Sequence, residues 1–166
     1  MKVAIISDSH DNVPNIEKFM SWARKNKIKQ IIHCGDVSAP SMISLVFMKN
    51  YSGQLDLVYG NVGDWEVLKK VCSRYKNVKF HGNIGKLTAD GQKIAFCHFP
   101  EEARKLAESG KYGLVFYGHT HKPWIEKIGN CQMVNPGTLG GVFQKACFAV
   151  YETKTGSLEL KILERI

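Results

Sequence analysis

Short apolar runs alternate with polar punctuation along this chain. Lys2-Val3-Ala4-Ile5-Ile6 is β-branched and bounded by turn residues, which predicts a buried strand. Pro14 suits the first turn of a helix, and Ile16, Phe19, Met20 and Ala23 keep a helical period into the basic stretch from Arg24 to Lys29. Gln30 to Cys34 predicts a second strand, Pro40 to about Lys49 a second helix, Leu55 to Tyr59 a third strand and Trp65 to Arg74 a third helix. This alternation implies parallel strands covered by helices. The second half changes character. Val78 to Phe80, Ile84 to Thr88 and Lys93 to Cys97 predict short strands, the last two joined by a hairpin turn through Ala89-Asp90-Gly91-Gln92. A helix over Pro100 to Gly110 and a strand over Leu114 to Tyr117 come next. Strands at Trp124 to Ile128, Gln132 to Val134, Cys147 to Tyr151 and Leu158 to Leu163 complete the chain. No linker, repeat or low-complexity segment interrupts the 166 residues, which fit one domain with one core. The fold class expected is α/β, with a parallel or mixed sheet, helices outside and antiparallel additions at the C-terminal end.

The polar residues at the end of each apolar run carry the chemistry. In open α/β sheets, ligands bind beyond the carboxyl ends of the strands. After the first strand come Asp8 and His10, after the second Gly35-Asp36, and after the third Gly60-Asn61. After Ile94-Ala95-Phe96-Cys97 comes His98, and after Leu114 to Tyr117 comes Gly118-His119-Thr120-His121. On extended backbone, residues i and i+2 point the same way, so His119 and His121 can reach one point. Taken singly, Asp8 and Asp36 read as turn or cap residues, and Asn61 as a residue that tolerates left-handed backbone. Together, five strand ends place seven oxygen and nitrogen donors at one end of one sheet, which points to a shared metal site. Seven donors exceed one four-coordinate ion and suit two ions sharing a carboxylate. The donors are carboxylate, imidazole and amide without thiolate. That set fits Mn, Fe, Zn, Co or Ni without choosing among them.

Composition sets bounds. The chain has a formal net charge of +8, with lysines spread rather than blocked and no basic stripe with interleaved aromatics. A solvated surface is the better reading of that charge than a nucleic-acid-binding face. The five cysteines lack Cys-x-x-Cys spacing and read as reduced thiols, Cys34 and Cys97 as small buried hydrophobes. No apolar run has the length of a membrane span and the N-terminus does not read as a signal peptide, so the expected location is cytoplasmic, with no membrane partner.

The ordered set Asp8-x-His10, Gly35-Asp36, Gly60-Asn61, His98 and Gly118-His119-x-His121 resembles the five motifs of the calcineurin-like metallophosphoesterases. The length and Asn135-Pro136-Gly137 resemble the small bacterial and archaeal branch, which holds compact phosphodiesterases. This resemblance covers about Lys2 to Gly141 and implies a single-domain mixed β-sheet sandwich flanked by helices. It implies one metal held by Asp8, His10, Asp36 and His121, and a second held by Asp36, Asn61, His98 and His119, with Asp36 bridging. Manganese and nickel are among the metals expected. A hydroxide between the ions would attack a small phosphorylated substrate, expected to be a phosphodiester, and Asn61 would also hold a phosphoryl oxygen. Two positions depart from the family pattern. Many members have a histidine after the asparagine, a candidate acid for the leaving group, where this chain has Val62-Gly63-Asp64. Asp64 is the residue near enough in sequence to replace it. After His98 the family often has Gly-His, where this chain has Phe99-Pro100.

Other readings accompany these. The retromer subunit of this fold is a protein-binding scaffold with a compromised metal site, whereas here all seven donors are present. His33 and His81 fit no motif and read as structural or surface residues. Trp65 and Trp124 either line a cleft or pack. Asn135-Pro136-Gly137-Thr138 either offers backbone N–H groups to a phosphate or turns the chain. The substrate, the oligomeric state and the choice of metal are not written in the sequence.

Overall fold

A computed structural model describes residues 1–166. Eleven strands and three α-helices are arranged in the order β1 (Lys2–Ile6), α1 (Val13–Lys25), β2 (Gln30–His33), β3 (Gln54–Leu57), α2 (Trp65–Cys72), β4 (Val78–Phe80), β5 (Ile84–Ala89), β6 (Gln92–Cys97), α3 (Pro100–Glu108), β7 (Leu114–Phe116), β8 (Trp124–Ile128), β9 (Cys131–Asn135), β10 (Cys147–Glu152) and β11 (Ser157–Ile162). The expected second helix is instead a short turn at its start and then a π-helical stretch, Ile43–Phe47, closed by the Met48 N–H donating to the Ile43 carbonyl at 2.9 Å. The wide turn brings Ile43, Val46 and Phe47 together onto the core.

The strands form two mixed sheets. The first runs β11-β10-β1-β2-β3-β4 and the second β5-β6-β7-β9-β8. In the first, β1 to β4 are parallel, β10 lies antiparallel beside β1, and β11 lies antiparallel beside β10 at the edge. In the second, β6, β7 and β9 are parallel, with β5 and β8 antiparallel at the edges. The hairpin from β5 to β6 pairs Ala89 with Gln92. Asp90 and Gly91 both take positive φ, the geometry a two-residue turn needs to match strand twist.

The pleat divides the apolar residues into three layers rather than the one core expected. Ala4, Ile6, Ile31, Phe148 and Val150 face α1, α2 and the π-helical stretch. Their alternates Val3, Ile5, Ile32, Ala149 and Tyr151 pack against Ile94, Phe96, Leu114 and Phe116 of the other sheet. Ala95, Cys97 and Val115 face α3. Period-two side-chain direction in strands buried on both faces makes this four-layer α/β/β/α sandwich. Burial on both faces also explains why these strands read as continuous apolar runs. No helix is long and apolar enough to cross a membrane.

Candidate metal centre

The carboxyl ends of β1, β2 and β3 in one sheet meet those of β6 and β7 in the other. The donors therefore come from two sheets, where the sequence suggests one, and the site lies on the seam between them. Backbone hydrogen bonds tie the donor loops across the ends of the strands. The Asp8 N–H donates to the Gly35 carbonyl at 3.0 Å, the His10 N–H to the Asp36 carbonyl at 3.2 Å, and the Gly118 N–H to the His98 carbonyl at 3.0 Å. Asp8, His10, Asp36, His119 and His121 all take left-handed φ between 43° and 69°. That conformation aims the side chains back over the strand ends, and non-glycine residues adopt it at an energetic cost. Gly35 has φ +101°, and a Cβ there would stand 2.6 Å from His98 Nδ1, so glycine is required for both shape and space.

All seven expected donors converge. His121 Nε2 lies 3.1 Å from His10 Nε2 and 3.3 Å from Asp8 Oδ1. Asn61 Oδ1 lies 2.9 Å from His98 Nε2 and 3.0 Å from His119 Nδ1. Asp36 Oδ2 stands between these sets, 3.8 Å from His10 Nε2 and 3.5 Å from His98 Nε2. Donors sharing one ion at about 2.1 Å are separated by roughly 3.0–3.5 Å, which these spacings approach. Asp8 has donor atoms close both to His10 and His121 and to Asp36 and His98, so either carboxylate spans the two sets.

Charge supports the same conclusion. Asp8 and Asp36 are buried, and their ion-pair partners are histidines only, with no lysine or arginine among them. Buried carboxylates without a cationic side chain fit a bound cation, because an uncompensated buried charge is costly. Burial pushes the Asp8 carboxyl up to about 6, against the Ser7 hydroxyl and His121, which pull it down. Burial also lowers the pKa of His10 and His98, keeping both imidazoles neutral and able to offer a lone pair.

Residues outside the motifs orient the donors. His98 Nδ1 bonds the Cys34 carbonyl at 2.8 Å and His121 Nδ1 the Val142 carbonyl at 3.0 Å. A carbonyl can only accept, so each ring carries its proton on Nδ1 and leaves Nε2 bare toward the site. Asn135 Nδ2 donates to the Gly118 carbonyl at 2.8 Å and to Thr120 Oγ1 at 3.0 Å, bracing the loop that bears His119 and His121. Thr138 Oγ1 donates to the Asp8 carbonyl at 2.9 Å. The Asn135 to Thr138 turn is thus a buttress under the site. His33 is fully buried. Its Nδ1 accepts the Gly35 N–H at 3.2 Å, which leaves Nε2 to donate to Ser9 Oγ at 3.0 Å, between donors Asp8 and His10. The sequence signal for this support is weak: a lone histidine in an apolar strand.

The remaining candidates separate. Asp64 is the N-cap of α2, one carboxylate oxygen accepting the Val67 N–H at 3.0 Å, and it lines a cavity of about 130 Å³ with Asp36, Asn61 and Trp65. Trp65 is half exposed and stacks on Tyr59. Trp124 lies elsewhere, in an apolar groove with Leu158 and Leu160. His81 pairs with Asp56 at 2.7 Å, away from the donors. Cys34 and Cys97 are buried and burial raises their thiols, which makes them inert packing groups.

Comparison with known proteins adds four findings. Residues 1–156 match the model of the calcineurin-like phosphoesterase superfamily domain. The chain is 28% identical over 144 residues to phosphodiesterase MJ0936 of Methanocaldococcus jannaschii, covering 85% of this chain and 86% of that protein. It is 29% identical over 159 residues to vacuolar protein sorting-associated protein 29 of Schizosaccharomyces pombe, covering 85% and 73%. Among solved structures, an archaeal phosphodiesterase superposes with a TM-score of 0.88 at 25% identity, covering 98% of this chain and 99% of the other.

Proposed function

The chain belongs to the calcineurin-like phosphoesterase superfamily and is a hydrolase of phosphoric esters, and we propose that its site is a dinuclear centre acting on phosphodiesters. The observation that carries this reading is the convergence of seven donors on two buried carboxylates that lack any cationic side-chain partner. Asp8, His10 and His121 would hold one divalent ion, Asn61, His98 and His119 the other, with Asp36 between them. Such ions, when bound, supply a hydroxide at neutral pH and positive charge opposite the phosphoryl oxygens.

The chain's own residues do the rest. Asn61 turns its carbonyl oxygen to His98 and His119, which leaves Nδ2 to donate to a phosphoryl oxygen. The cavity beside Asn61 is lined by Val37, Tyr59, Val62, Trp65 and Leu68 together with Ser38 and the carboxylates of Asp36 and Asp64, and has no lysine or arginine. An uncharged ester arm is suited to that wall, whereas the second negative charge of a monoester finds no partner there. This favours diesters. In the reaction water's oxygen bonds to phosphorus as one ester P–O bond breaks, giving a phosphomonoester and an alcohol. Asp64 is the acid assigned to the departing oxygen, through the carboxylate oxygen not used by the helix cap.

The test is hydrolysis of bis(p-nitrophenyl) phosphate by chelator-stripped protein with and without added Mn²⁺ or Ni²⁺. Metal should restore activity, and Asp36→Asn should lower it by about a hundredfold or more. Activity that ignores both metal and Asp36 would overturn the reading.

A second reading draws on the likeness to vacuolar protein sorting-associated protein 29 and on the exposed Trp124 and Ile125 at an edge strand. It is a protein-binding scaffold with a relict site. Elemental analysis separates the two: an enzyme retains close to two metal ions per chain, a scaffold need not.

A further inference from the structure

One aromatic ring at the metal site has no structural employment. Phe143 is 92% exposed, far above any other large apolar side chain of the protein, the next being Leu45 at 61%. Its backbone is left-handed, φ +62°, in a region that bulky L-residues avoid. A loop with Gly140 and Gly141 just before it could have placed a glycine there at no strain. Instead the chain sets a phenyl ring in water on an unfavourable backbone, and residues held in this way cluster at ligand clamps.

Its position is specific. The ring lies 6.1 Å from the ring of donor His121 and is tilted by 30° to it, and the preceding residue supplies the carbonyl that orients His121. Two further aromatics stand around the donors. Phe99 meets His98 and His119 edge to face at 5.0 Å each, and Trp65 stands beside Asn61. Phe99 and Trp65 each have aromatic neighbours to pack on. Phe143 has only the tilted His121 ring near it, and the phenyl ring is open to solvent.

We propose that Phe143 is a stacking platform for a flat ring on the substrate, and that the site therefore selects phosphodiesters carrying a nucleoside. This deepens the phosphodiesterase reading and rests on it. With the phosphorus at the donors, the base of a nucleoside ester reaches outward past His121 and lies against the open face of Phe143. Base–aromatic stacking tolerates any base, because every base has a π face, so Phe143 sets a preference for nucleosides rather than for a sequence.

The experiment compares two diesters with the same leaving group: thymidine 5′-(p-nitrophenyl phosphate) and methyl p-nitrophenyl phosphate. Both release p-nitrophenolate, so their difference reports the retained arm. The metal-loaded protein should favour the thymidine ester by about tenfold in kcat/KM, and Phe143→Ala should erase that preference while Phe143→Trp keeps it. Calorimetric binding of thymidine 5′-monophosphate and methyl phosphate gives a readout independent of turnover and should show the same contrast. Phe143→Gly should lose the preference yet melt no lower than the natural chain, because glycine relieves the left-handed backbone. If both esters are hydrolysed and Phe143→Ala leaves their ratio unchanged, the platform is wrong and the phosphodiesterase reading stands. If neither ester is hydrolysed but thymidine monophosphate still binds through Phe143, the platform stands as a nucleotide-binding feature and the diesterase reading falls. Equal binding of the two phosphates, insensitive to Phe143, overturns the platform.

Discussion

The two sheets make unequal contributions to the site. The first sheet supplies both carboxylates, the amide and one imidazole, through Asp8, Asp36, Asn61 and His10, while the second supplies imidazoles alone, through His98, His119 and His121. All of the negative charge therefore comes from one side of the seam, and the neutral donors are concentrated on the other. Neither sheet carries a site by itself. The supporting bonds show the same division. Hydrogen bonds of His33 and Ser9 hold the first sheet's loops, and the Asn135 buttress holds the loop of the second. The lesson is that the inter-sheet core, built from Val3, Ile5 and Ile32 against Phe96 and Phe116, fixes donor geometry as surely as the donor loops do.

The strongest way to break the comparison acts on the first sheet alone. Burial holds His33 down at about 3, so between that value and the unfolded value near 6.5 only the unfolded chain takes up a proton there. A depressed pKa contributes stability that is complete above the unfolded value and is lost as pH falls toward the folded one. Metal-free protein should thus lose about 3 kcal/mol from this group between pH 7 and pH 4. His33→Gln, which can keep both hydrogen bonds, should flatten the difference by that amount in urea unfolding at the two pH values. An equal pH slope in the variant would show that His33 does not carry it.

Next in size is the division of the imidazoles within the second sheet. His121→Ala should weaken the ion shared with Asp8 and His10 by about ten- to a hundredfold, and His119→Ala the one shared with Asn61 and His98. Metal titrations of the two variants, read by anomalous scattering at each position, distinguish the ions. Equal loss of both ions in either variant would merge the two halves into one site.

The smallest effect belongs to Asp64. Asp64→Asn can keep the helix cap, since asparagine caps as well as aspartate, while removing the carboxyl group. Hydrolysis of a diester with an alkyl leaving group should slow by about tenfold, whereas release of p-nitrophenolate, which needs no acid, should be nearly unchanged. A uniform effect on both would assign Asp64 to structure only.

Much of this is legible in the chain. The donors of the site each come just after an apolar run, and strands buried on both faces leave such runs unmistakable. Asp8, His10, Asp36, Asn61, His98, His119 and His121 can therefore be read as strand-end residues. What periodicity does not carry is which strands pair. The breaks around β4 and β5 look like ordinary loops, so one sheet and two sheets read alike, and the single core expected proves to be three layers. The π-helical stretch reads as helix because its buried residues, Ile43, Val46 and Phe47, keep the same spacing as a helical face. His33 and Phe143 escape for opposite reasons. One is a polar group hidden among apolar neighbours, the other an apolar group left in water, and neither burial nor its absence is written in residue type.

Five donors sit on left-handed backbone, where glycine or asparagine would rest more easily. The proposed donor set thus carries a backbone cost of its own at Asp8, His10, Asp36, His119 and His121, offset at Asp8 and Asp36 by the His119 and Val62 N–H groups their carboxylates accept. Asparagine at His10, His119 or His121 should therefore raise the melting temperature of metal-free protein while weakening metal binding, so that the proposed site trades stability for its donors.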